Sequence, residues 1–115
     1  MESKAAVASL SALGHEGRLA IFRLLVKAGP GGVAAGEIAR RLDSLPNTLS
    51  ANLNVLSHAG LIVSRREGRS IVYSADYTAM SGLLGFLVED CCDGAPEICA
   101  PLGGILENCG PACRA

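Results

Sequence analysis

At 115 residues, with ten Lys/Arg against eleven Asp/Glu and a net charge of −1, the chain is one domain's length and offers nucleic acid no overall positive field. A chain this short buries only part of its surface, so a dimer partner, a metal or cross-links are expected to help hold it. Neither a basic segment leading into an apolar block nor a bilayer-length apolar run occurs, so no signal peptide and no membrane association are expected, and the protein is expected to be cytoplasmic.

The charge is unevenly spread. Residues 15–76 hold eight Lys/Arg and five Asp/Glu, a balance of +3, whereas residues 77–115 hold one arginine and five acids, a balance of −4. The first part can face phosphate and the second cannot. An alanine-rich segment closed by Leu10 and Leu13 opens the chain. After "GHEG", the run "RLAIFRLLVKAG" places Leu19, Phe22, Leu25 and Val26 on one helical face, and Gly29-Pro30-Gly31-Gly32 is expected to end that helix in a linker. "GEIARRL" groups Ile38, Ala39 and Leu42 on a short helix. Asp43 or Ser44 is the expected cap of the next helix, with Pro46 tolerated in its first turn.

In that next helix Leu49, Leu53 and Leu56 recur at helical spacing and Gly60 marks the stop. Its opposite face shows Asn47, Ala51, Asn54 and His58, flanked by Thr48 and Ser50, while Asn52 falls nearer the buried side by its helical angle. The period then drops to two. "LIVSRREGRSIVYSAD" predicts a hairpin of residues 61–65 and 70–75 around "REGR", with Arg65, Arg66 and Arg69 at its tip. "TAMSGLLGFLVED" repeats Met80, Leu83, Leu84, Leu87 and Val88, a helical face too apolar to stand alone. Beyond residue 90 glycine and proline are frequent, and an irregular tail is expected.

Two helices joined by a short turn, the second offering amides and hydroxyls at its start, followed at once by a basic hairpin, describe a winged helix-turn-helix. The fold class expected is therefore mainly α with a small β-hairpin. A major groove admits one α-helix, so Asn47, Thr48, Ser50, Ala51 and Asn54 are the candidate base-reading residues. Arg40, Arg41, Arg66 and Arg69 are the candidate phosphate or minor-groove contacts, and operator double-stranded DNA is the expected partner. His15 and His58 read as structural or surface residues.

On "ALGHEGRLAIFRLL", "GEIARRL", "NTLSANLNVLSHAGLI" and "REGRSIVYSAD", the sequence resembles the ArsR/SmtB metal-sensing repressors over roughly residues 10–90. The resemblance implies a homodimer joined through its first and last helices, residues 1–90 forming the DNA-binding and dimerisation domain and residues 91–115 an inducer-binding tail. It also implies release of the operator when a metal or metalloid binds. In one place the chain departs from the family: where members carry a histidine in patterns such as Ser-x-His-Leu, "SANL" has Asn52, so no operator sequence carries over.

Among the family's known inducer sites, one uses cysteines in the first helix of the helix-turn-helix, and "AAGEIARRL" has none. Another uses Asp and His on the last helix, and "DYTAMSGLLGFLVED" has no histidine. "CCDGAPEIC" resembles instead the arsenic-responsive members that carry a cysteine pair and a third cysteine just past the last helix. The chemistry fits independently, since As(III) and Sb(III) are soft and take three thiolates in a pyramid, whereas zinc normally takes four ligands. The acids Glu89, Asp90, Asp93 and Glu97 disfavour a free reactive thiolate. The expected inducer is As(III) or Sb(III) on Cys91, Cys92 and Cys99, with Cys109 and Cys113 as auxiliary candidates; another soft metal (Zn or Cd) or thiol oxidation stays open as the signal. With no C-x-x-C at a helix start, no general base beside a thiol and no phosphate-binding glycine loop, an enzyme is not expected.

Overall fold

A computed structural model of the protein describes residues 2–88. By internal contacts the chain divides into Met1–Leu83 and Leu84–Ala115. The cysteine positions Cys91, Cys92, Cys99, Cys109 and Cys113 all lie outside the described residues.

Five helices and three short strands follow in the order α1 (Ser3–Leu13), α2 (Glu16–Ala28), β1 (Val33–Ala34), α3 (Ala35–Leu42), α4 (Pro46–His58), β2 (Ile62–Glu67), β3 (Ser70–Ala75) and α5 (Tyr77–Val88). The core is aliphatic. Ile21, Leu25, Ile38, Leu56 and Leu61 are fully buried, joined by Phe22, Leu49, Leu53 and Ile62. Each such side chain contributes about 1.5–3 kcal/mol of transfer free energy, which is how short helices of modest propensity are held in place. Leu19, expected on the buried face of α2, is instead 43% exposed, and Ile21 takes the inward position. The inward stripe of α2 centres on Ile21, Phe22 and Leu25, which turns Leu19 out at its edge.

The corner between α1 and α2 is fixed by side chains on both termini. Arg18 Nε donates to the Ala12 carbonyl at 2.6 Å, satisfying an orphan acceptor at the end of α1. His15 Nδ1 accepts from the Gly17 and Arg18 N–H groups at 3.1 and 3.3 Å, so this histidine is the N-cap of α2.

The sheet is antiparallel in the order β1-β3-β2, with Glu67 opposite Ser70 and Ile62 opposite Ala75. The wing strands therefore run to residues 62–67 rather than 61–65, and the reversal is a two-residue loop, Gly68-Arg69. Gly68 sits at φ 62 and Arg69 at negative φ, the φ pattern of a type II′ turn, whose twist matches paired strands.

The glycines at 29–32 are more than the expected linker. They deliver Val33 and Ala34 to β3, opposite Tyr73 and Val72. Gly32 lies at φ 76, and a Cβ there would come 2.6 Å from the Tyr73 carbonyl oxygen. Only glycine permits that approach. α5 begins under tight control: the Asp76 carboxylate accepts from the Ala79 N–H at 3.1 Å, and Tyr77 Oη donates to the Val26 carbonyl at 3.1 Å. The expected apolar face of α5 is split. Leu83 is buried and Met80 packs on the core, while Leu84, Leu87 and Val88 are exposed; Val7 and Leu10 on α1 are exposed as well.

Candidate nucleic-acid interface

α3 and α4 form the helix-turn-helix, and the turn between them is built differently from the expectation. Asp43 and Ser44 do not cap α4. Asp43 occupies the left-handed position after α3 at φ 49, where its N–H bonds the Arg40 carbonyl while the Ser44 N–H bonds the Ala39 carbonyl, a Schellman stop. Asp tolerates that conformation better than most non-glycine residues. The backbone position before α4 is Leu45, with no side-chain cap, and Pro46 supplies the first helical residue, where its missing N–H is not needed. At the far end the Gly60 N–H bonds Ser57 and the Leu61 N–H bonds Leu56, the same motif with glycine at φ 78. Leu56 and Leu61 are both fully buried there.

This stop fixes the rotation of α4. Leu49, Asn52, Leu53 and Leu56 face inward, and Asn47, Thr48, Ser50, Ala51 and Asn54 are all exposed. The five candidate reading residues thus share the solvent side of one helix. His58 Nδ1 donates to the Asn54 carbonyl at 2.8 Å, closing the last turn.

The arginines fall into two sets. Arg40 and Arg41 share one carboxylate: Arg40 bonds both oxygens of Glu37, and Arg41 Nε lies 2.9 Å from the same group. The guanidinium of Arg40, then that of Arg41, lowers the Glu37 carboxyl from 4.5 to about 2. Arg65 is likewise occupied, donating to Glu67 at 2.7 Å and to the carbonyls of Pro30 and Gly31. Arg66 makes only a long contact to the Gly68 carbonyl at 3.5 Å, and Arg69 makes no hydrogen bond or ion pair among the described residues. The wing tip therefore presents Arg66 and Arg69 free for an external anion.

Beside α4 an open surface groove of about 380 Å³ lies between the start of α2 and the first turns of α4, lined among others by His15, Ile21, Leu42, Asp43, Thr48 and Asn52. Among the described residues, no cluster of three or more His, Cys, Asp or Glu side chains could hold a metal ion. Nor is any helix there long and apolar enough to cross a membrane.

A helix presenting amides and hydroxyls beside a hairpin with free arginines defines a winged helix-turn-helix DNA-binding protein. Comparison with known proteins agrees: a helix-turn-helix domain family matches residues 13–65. The biofilm growth-associated repressor of Agrobacterium fabrum is 34% identical over 88 residues, covering 76% of this chain and 71% of the repressor. Reduced HlyU from Vibrio cholerae, a transcriptional activator, matches at 31% identity and TM-score 0.60, over 74% of this chain and 90% of HlyU. The homodimeric winged helix-turn-helix domain of Mb0332 from Mycobacterium bovis, a possible ArsR-family regulator, matches at 26% identity and TM-score 0.61, over 79% and 84%. The chain belongs to the ArsR family of winged helix-turn-helix transcriptional regulators. Fold and relatives alike are those of DNA-binding regulators and not of an enzyme.

Proposed function

We propose that the protein is a cytoplasmic homodimeric repressor that reads its operator through Asn47, Thr48, Ser50, Ala51 and Asn54, grips flanking phosphates with Arg66 and Arg69, and dissociates when As(III) or Sb(III) binds Cys91, Cys92 and Cys99. The observation that carries the DNA half is the shared exposure of those five α4 residues beside two arginines left free. Arg40 and Arg41 join the contacts by exchanging Glu37 for phosphate. Val7 and Leu10 on α1 and Leu84, Leu87 and Val88 on α5 supply exposed apolar surface for a second copy.

The inducer half is carried by the sequence. All five cysteines fall at positions 91–113 and none within α1–α5, so a thiol signal has to enter beyond α5. Three thiolates suit a pyramidal soft centre, and Cys109 and Cys113 are auxiliary thiols. A coupling of about 1–3 kcal/mol between inducer and operator loosens DNA binding several-fold to a hundredfold. A second reading, the same DNA head responding to thiol oxidation, is favoured by the similarity to HlyU, which was solved in a form described as reduced. Selecting a duplex from a random pool, then titrating the complex with arsenite, antimonite, zinc and hydrogen peroxide, separates these. Release by the two metalloids supports the first reading; release by peroxide alone replaces it with the second.

A further inference from the structure

Leu45 is 73% exposed, more than any other large apolar side chain among the described residues. Its backbone is held in place: it occupies the N-cap position of α4 at φ −69 and ψ 143, and its carbonyl accepts the Leu49 N–H at 2.9 Å. The fold supplies no reason for a leucine there. Helix starts favour Ser, Thr, Asp or Asn at that position, because a side-chain oxygen caps a free N–H, and leucine is among the poorest choices. Leu45 makes no cap bond and buries little surface, so it serves neither capping nor packing.

Its position indicates what it serves instead. Leu45 directly precedes Pro46 and Asn47, at the end of α4 that a recognition helix turns toward base edges. In the major groove those edges carry hydrogen-bond donors and acceptors and a single apolar group, the C5-methyl of thymine. α4 itself carries no Lys, Arg, Asp or Glu, so the side chains that pair best with guanine and cytosine are missing from it, whereas asparagine matches adenine, the partner of thymine.

We infer that Leu45 is a sixth reading residue, packing its side chain on the C5-methyl of one thymine in each operator half-site. The inference rests on α4 being the helix that enters the groove. It adds an apolar contact made from the turn ahead of that helix, and with it a preference for thymine over every base that lacks the methyl.

The test starts from a duplex that the wild type selects from a random pool, with binding read by fluorescence anisotropy. Each thymine of one half-site is replaced in turn by deoxyuridine, which removes only the methyl. At one position the wild type should lose about fourfold in affinity, the worth of one buried methyl. Leu45→Ser should bind the all-thymine duplex several-fold more weakly and lose nothing further at that same position. Thymines met by Ala51 or Thr48 should respond alike in both proteins. Because serine can cap α4, the unfolding midpoint of Leu45→Ser should hold or rise, so its weaker binding does not come from a weaker fold. Wild-type affinity in Leu45→Ser, or the same set of uracil losses in both proteins, would overturn the contact; weaker binding with that unchanged set would put Leu45 on sugar or phosphate. If no duplex is selected at all, the proposed DNA contacts of α4 fail, and Leu45 with them.

Discussion

The guanidinium of Arg65 donates to the Pro30 carbonyl at 3.3 Å, pinning the base of the wing to the loop before β1. This bond, with those to Gly31 and Glu67, occupies Arg65 within the protein and fits a positioning role, whereas the proposed phosphate contacts Arg66 and Arg69 make no comparable bonds among the described residues. The salt dependence of operator binding distinguishes the two roles. Arg66→Ala and Arg69→Ala should each lower the slope of log K against log salt by about one. Arg65→Ala should weaken binding with the slope unchanged; a drop in slope equal to that of Arg66→Ala would place Arg65 on DNA.

Glu37 governs the other basic pair. Arg40, then Arg41, holds its carboxyl down to about 2 from an ordinary 4.5. Because the folded value is depressed, the stabilisation is present above the unfolded pKa and is lost as pH falls through the folded one, between 4.5 and about 2. Carboxyl-detected NMR should find Glu37 still ionised at a pH where an ordinary glutamate is mostly protonated. Glu37→Gln should free both arginines and steepen the salt dependence of nonspecific DNA binding; an unchanged slope would remove Arg40 and Arg41 from the contacts.

Gly32→Ala should destabilise the fold by about 2 kcal/mol or more. The new methyl meets the Tyr73 carbonyl oxygen, and the backbone stands at φ 76, so strain and clash add. Gly31→Ala next door meets nothing within 4 Å and serves as the control. Urea unfolding of the two variants checks the contrast, and equal midpoints would deny β1 its role.

Tyr77→Phe should cost about 1 kcal/mol. The lost bond joins the start of α5 to the Val26 carbonyl near the end of α2, and the site is partly buried, so water replaces it only in part. Chemical denaturation measures the loss directly.

Much of this was legible in the sequence. Leu49, Leu53 and Leu56 fixed the inward face of α4, and with it the outward face, because helical spacing and burial agree there; Gly60 marked the stop because few other residues take its conformation. Other features escaped for physical reasons. β1 is two residues long, too short for any periodicity, and its only trace was a glycine whose need for close approach shows when β3 is beside it. Asp43 looked like a cap for α4 because aspartate favours helix starts, yet the same side chain tolerates the left-handed turn that ends α3. Pairing of Arg40 and Arg41 with Glu37 was implicit in i,i+3 and i,i+4 spacing. The occupation of Arg65 by a loop 34 and 35 residues earlier was not. Asn52 was placed toward the buried side by its helical angle, and it is buried on the inward face of α4.

In the proposed function a three-thiol metalloid site in the tail switches the DNA-reading head. Fluorescence anisotropy of a labelled operator duplex, titrated with arsenite against the wild type and against the Cys91→Ser, Cys92→Ser, Cys99→Ser triple variant, tests it most directly. Both proteins should bind the duplex alike, and arsenite should release the wild type several-fold to a hundredfold while leaving the triple variant bound. Equal release of the two proteins by arsenite would contradict the assignment.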